Sequence, residues 1–178
     1  MRDTADAQAT RICSNRAMSE PSAVVELLNG LLGVYWTAAA QHQTHAALLE
    51  SWGIVGLAQG MRAHIDDEPV TIAALTDRIL VLGGQPAFTL TQPTIGSTLR
   101  EVLENDMAIQ RAARPGLNGA AEAAADAHDA TTRNLLENVL ADEERHLDWL
   151  ETELALLERM GEPLYLSTRL TGGSQSAN

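Results

Sequence analysis

Two side chains able to do chemistry stand one helical turn apart in the run Glu143-Glu144-Arg145-His146. A spacing of three puts Glu143 and His146 on one face of a helix. Leu136, Leu140, Leu147, Leu150, Leu154 and Leu157 recur at steps of three, four and seven and mark that face as the apolar stripe of a core-facing helix. Glu144, Arg145 and Asp148 point elsewhere. A carboxylate and an imidazole inside an apolar seam are costly unless something pairs with them. The spacing leaves two solutions, a metal ion held between helices or a direct Glu143–His146 hydrogen bond.

The rest of the chain must bring partners to that pair. Pro21 opens a long helix, with Ser19 or Ser22 available as its cap, and Leu28, Leu32, Tyr35, Ala39, His42, Ala46 and Leu49 mark one face until Trp52 and Gly53 end it. A second face carries Leu57, Met61, His64, Glu68, Thr71, Leu75, Ile79 and Leu82. Pro69 lies inside it, and an interior proline costs about 3 kcal/mol, so this helix is expected to kink or stop there. Gly83, Gly84 and Pro86 end it, and a connection through Pro93 is long enough to cross the molecule, which sets the second and third helices parallel.

The third helix begins near Ser97, with Leu99, Leu103, Asp106, Gln110, Ala113, Leu117 and Ala124 on one face and an expected break at Pro115-Gly116. The fourth spans Ala130 to Met160, with Gly161 as its cap, and a short fifth helix lies within 163–170. Each long stripe is interrupted near its middle by polar residues: Tyr35 and His42, His64 and Glu68, Asp106 and Gln110, Glu143 and His146. In an antiparallel bundle with its helices in register, these meet at one depth. Core packing is the alternative role for Tyr35 and His42.

Composition supports helices. Hydrophobic residues are 45% of the 178, and aromatics only 3%. The net charge of −12 opposes nucleic acid and anionic membrane as partners. Cys13 is the only cysteine, so neither an internal disulfide nor a thiolate cluster forms within the chain. No uninterrupted apolar run reaches the roughly 18 residues of a membrane span, and residues before Ser19 lack the apolar segment of a secretory signal. A cytoplasmic protein is expected, with a disordered extension at 1–20, one domain at 21–170, a flexible tail at 171–178, and Met18 as an alternative start.

Leu136 to Tyr165, together with Leu28-Asn29-Gly30-Leu31-Leu32-Gly33, Glu50-Ser51-Trp52-Gly53 and Arg78-Ile79-Leu80-Val81-Leu82-Gly83-Gly84, resembles the bacterioferritins. The resemblance implies an all-α, ferritin-like four-helix bundle with a long crossover between the second and third helices and a short fifth C-terminal helix. It further implies a hollow shell of 24 subunits that oxidises ferrous iron at an intrasubunit di-iron centre and stores the mineral inside. By position, the family's ligands survive as Glu68, Glu143 and His146. Tyr35, Thr71 and Gln110 occupy the other three ligand positions, and Pro69 occupies that of the haem-ligating methionine.

Those substitutions change the chemistry. Two Fe²⁺ bring four positive charges, and two carboxylates leave about two uncompensated. Gln110 offers a neutral carbonyl oxygen, and Tyr35 ligates only as a phenolate, against an ordinary pKa of about 10. One ion on Glu68, Glu143 and His146 suits Fe²⁺, Mn²⁺ or Zn²⁺. The expected function is an iron-storage shell subunit with an impaired or absent ferroxidase centre, assembling with itself or with an active bacterioferritin subunit, and binding no haem, since only His42, His45 and His64 remain as substitute axial ligands. The alternatives are an active ferroxidase remodelled around Tyr35, His42 or His64, and a bundle serving only structural or interaction roles.

Overall fold

A computed structural model describes residues 21–170; the expectations for 1–20 and 171–178 lie outside them. Six helical segments follow in order: α1 Pro21–Ser51, α2 Val55–His64, α3 Glu68–Val81, α4 Leu99–Asp126, α5 Ala130–Met160 and α6 Glu162–Arg169. Among the described residues there is no strand. α1 packs on α2, α3 and α4, and α5 packs on α4 and α3, so α2 and α3 together make one side of a four-sided bundle.

The second side is two helices because of Pro69. It sits in the first turn of α3, where a missing backbone N–H costs little. The chain leaves helical geometry just before it, over Ile65–Asp67, and α3 restarts with the Val70 and Thr71 amides bonded to the Asp67 carbonyl. Pro115 behaves differently from expectation: α4 runs unbroken from Leu99 to Asp126. Pro115 and Arg111 are both exposed, so the gap in the backbone ladder lies on the solvent side of α4.

Between α3 and α4 the chain crosses the bundle in extended form along α1. Asn29 clamps the Gln85 carbonyl and the Ala87 amide, Thr37 accepts from the Thr91 amide, and Gln41 accepts from the Thr94 amide. Gly33 permits this approach, since a Cβ there would stand 2.7 Å from the Thr89 carbonyl oxygen. α4 then starts with Thr98 accepting from the Glu101 amide while Glu101 accepts from the Ser97 amide, a reciprocal cap.

α1 is long and apolar enough to cross a membrane by length and composition, although polar residues interrupt it and it contains no unbroken apolar run of that length. Its stripe is spent inside the bundle instead: Leu28, Leu32, Ala46 and Leu49 are fully buried. Mean hydropathy cannot separate a core helix from a membrane span; packing does.

The apolar core falls into two clusters. One joins Leu28, Leu32, Tyr35, Leu75, Ile79, Leu117 and Leu136. The other joins Leu49, Leu57, Met61, Leu103, Leu150 and Tyr165. On every side of the bundle polar residues lie between them, as the interrupted stripes require.

Two polar locks hold the ends. At the start of α5, Asp129 accepts from the Thr132 amide and from Arg78 of α3 at 2.7 Å. Although burial opposes ionisation, these donors pull the Asp129 pKa from 3.8 to about 2. A depressed folded pKa contributes stability that is present above the unfolded value and lost as pH falls through the folded one. Acid titration of unfolding should therefore show weakening between about pH 4 and pH 2 that Asp129→Asn removes; an unchanged profile in the variant counts against this lock.

At the other end, Glu153 is buried on α5 and receives Tyr165 Oη at 2.5 Å and a bidentate Arg169 at 3.0 and 3.0 Å, both from α6. Arg169→Ala leaves this carboxylate with Tyr165 alone. We expect a loss of about 1–3 kcal/mol in urea unfolding, with the onset at α6; an unchanged midpoint would show that α6 is held by its apolar contacts alone.

Candidate metal centre in the bundle core

The four interruptions meet. Tyr35 Oη donates to Glu143 Oε1 at 2.6 Å, joining α1 to α5. His42 Nδ1 lies 2.5 Å from Glu68 Oε1, joining α1 to α3. Gln110 Nε2 donates to His146 Nδ1 at 2.8 Å, joining α4 to α5. The direct Glu143–His146 bond does not form, because Tyr35 takes the carboxylate and Gln110 the imidazole. His64 stacks on His146 and on Trp149, with ring centres 5.5 and 4.7 Å away.

Each residue is there for a local reason. His42 follows Tyr35 by seven positions on α1, two turns down the same stripe. Glu68 opens α3 immediately after the Pro69-imposed break, which aims it inward. A small cleft lined by Tyr35, His64, Asp67, Glu68, Thr71, Gln110, Glu143 and His146 leads to the centre. Thr71 lines it without joining the hydrogen bonds described above.

Beneath the cleft lies a second set. Asp106 is fully buried on α4 and accepts from Gln41 Nε2 at 3.0 Å and His45 Nδ1 at 2.7 Å. The Gly96 amide donates to His45 Nε2 at 3.0 Å, which leaves Nδ1 as the nitrogen that donates to Asp106. His42 Nε2 stands 3.7 Å from Asp106 Oδ1, beyond hydrogen-bond reach. Sequence reading passed over Gln41 in this role and gave His45 another. The signal for both was spacing, since Thr37, Gln41 and His45 form a four-residue ladder along α1.

Protonation follows from burial and neighbours. Burial raises the Tyr35 pKa far above its ordinary value, and the charge and hydrogen bond of Glu143 push the same way, so it remains a phenol and a donor. Burial also raises Glu143, against the opposing effects of Tyr35 and His42. Burial disfavours the His42 cation, yet the Glu68 hydrogen bond and the charges of Asp106, Glu68 and Glu143 outweigh it and raise its pKa. His146 is driven down to about 3 by burial and by His42 and His64, and is neutral. Burial lowers His64 as well.

Five buried atoms in this layer lack a hydrogen-bond partner: His42 Nε2, Glu68 Oε2, Asp106 Oδ2, Glu143 Oε2 and His146 Nε2. Each such group costs about 1–3 kcal/mol, and all five belong to metal-ligand residue types. Among the described residues no three His, Cys, Asp or Glu side chains already stand in metal-holding geometry. An ion in this layer would have to draw its ligands together by side-chain movement. His42 and His45 are fully buried and tied to carboxylates, so neither offers a ring to a ligand bound outside the bundle.

The Ferritin family model, described as a ferritin-like domain, matches residues 25–160. Bacterioferritin of Mycobacterium avium is 41% identical over 143 residues, covering 80% of this chain and 90% of the relative. Bacterioferritin of Streptomyces coelicolor is 40% identical over 146 residues, covering 82% and 87%. The crystal structure of BfrA from M. tuberculosis superposes with a TM-score of 0.78 at 38% identity, covering 82% of this chain and 91% of that one. With a bundle of this kind, a polar layer at its centre and matches across most of each chain, this protein belongs to the bacterioferritin family of ferritin-like domains.

Proposed function

We propose that the chain is an iron-storage subunit of a bacterioferritin-type shell in which the ferroxidase centre is impaired or absent. The carrying observation is what became of the ligands. Glu143 is engaged by the phenol of Tyr35, and His146 by the amide of Gln110. Both substituted positions thus bind, with neutral groups, the residues that would otherwise face metal. A di-iron pair lacks counter-charge in such a layer. One Fe²⁺, Mn²⁺ or Zn²⁺ on Glu68, Glu143 and His146 does not.

The subunit contributes storage volume in a closed shell of 24, built from itself or mixed with an active sister subunit, in the cytoplasm. Haem does not fit the family's mode, because Pro69 has no donor atom for iron.

Assembly and binding test this together. Light scattering of the purified protein, alone and after co-expression with an active bacterioferritin, should give a shell-sized particle. Anaerobic calorimetry with Mn²⁺ should give at most one ion per chain, weakened by about tenfold or more in Glu143→Gln. A stable monomer under both conditions refutes the shell. Two tightly bound ions per chain that are both weakened in Glu143→Gln refute the impaired centre.

A further inference from the structure

The pocket carboxylates leave two of the five unpartnered atoms unexplained. His42 Nε2 and Asp106 Oδ2 lie below the cleft, on side chains that are wholly buried. We infer that the bundle core contains a deeper seat for a single transition-metal ion, with His42 Nε2, the Asp106 carboxylate and His146 Nε2 as donors. It shares His146 with the seat on Glu68 and Glu143 but neither of those carboxylates, so it stands if that reading fails.

Spacing supports the deeper seat. Nitrogen and oxygen donors lie about 2.0–2.2 Å from Zn²⁺, so two of them on one tetrahedral ion are about 3.4 Å apart. His42 Nε2 and Asp106 Oδ1 are 3.7 Å apart with no bond between them. Two imidazoles on one such ion have ring centres about 5 Å apart. Those of His42 and His146 are 5.2 Å apart and edge-on. His42 thus stands near ligand spacing from both Asp106 and His146; the three side chains do not yet form a metal-holding group, so an ion must draw them together.

Outer partners already orient two of the three donors. A ligating imidazole characteristically gives its other N–H to a carboxylate or carbonyl oxygen. His42 has Glu68 at Nδ1, leaving Nε2 for the ion. Asp106 is held on Oδ1 by Gln41 and His45, leaving Oδ2 free. His146 has Gln110 at Nδ1; with that amide turned end for end, its oxygen accepts from Nδ1–H and frees the Nε2 lone pair. Two imidazoles and one carboxylate suit Zn²⁺ or Fe²⁺. The competing arrangement is a proton on His42 Nε2 facing Asp106, with no ion.

Zn²⁺ is the probe. Crystals of the full chain grown with Zn²⁺, with data collected at the zinc edge, should show an anomalous peak about 2.0–2.2 Å from His42 Nε2 and from an Asp106 oxygen. In solution, Asp106→Asn should weaken the Zn²⁺ site by about tenfold or more, and His42→Gln likewise, should the first variant fold poorly. Crystals of Glu143→Gln should keep the deep peak. Density confined to Glu68 and Glu143, or binding lost in Glu143→Gln but unaffected by Asp106→Asn and His42→Gln, overturns the deeper seat and leaves the pocket reading in place. No peak anywhere, with no effect of any of the three variants, overturns both.

Discussion

Mixing the unmodified protein with two Fe²⁺ per chain in air is expected to give slow or no growth of ferric absorbance in stopped flow. The reason lies in the three substituted positions. Tyr35 keeps its proton because burial and Glu143 both raise its pKa, so it cannot act as the anionic ligand that a carboxylate would be. Gln110 and Thr71 add no charge. Replacing Tyr35→Glu, Thr71→His and Gln110→Glu together restores two carboxylates and an imidazole around a cleft that already contains Glu68, Glu143 and His146. Oxidation should then rise by about 10²-fold or more. The helices are in place for that rescue, since α4 continues through Pro115 and Pro69 sits harmlessly in the first turn of α3. Rapid oxidation by the unmodified protein, abolished by Glu143→Ala, would show that other residues complete a working centre.

The largest effect on stability is expected at Asp106, which touches no solvent. It accepts from Gln41 and His45 and faces His42. Asp106→Ala strands two donors and removes a counter-charge from the His42 imidazole. Breaking a buried charged network from one side costs about 3–5 kcal/mol, a large share of the roughly 5–15 kcal/mol that holds a domain together. The thermal midpoint should fall by about 6–20 °C. Asp106→Asn retains an acceptor for His45 and should cost about 1–2 kcal/mol. A fall under about 2 °C for the alanine variant would mean that water enters and replaces the carboxylate.

Much of the architecture was legible along the chain. The four stripes predicted the helices, Gly83 to Pro93 predicted the crossover, and Pro69 predicted a break that the structure places over the three residues 65–67. Pro115 misled, because sequence reports a missing N–H but not whether the stranded carbonyl faces core or solvent. Glu153 escaped notice on the α5 stripe; its partners, Tyr165 and Arg169, lie on a different helix.

By itself the sequence determined that polar groups interrupt every stripe near its middle, because helical period alone decides which residues share a face. It also determined which ligand types are present and absent, and hence the charge available to balance a metal. Pairing was left to the tertiary structure. Glu143 and His146, adjacent on one turn, each chose a partner from another helix, and His42 came to rest between Glu68 and Asp106. Those choices depend on distances between helices of a few ångströms, which period and composition do not encode. Burial then acts on the result: the same tyrosine that would be an ordinary phenol in water is held as a donor here, and the same imidazole is held neutral at His146 and charge-favouring at His42.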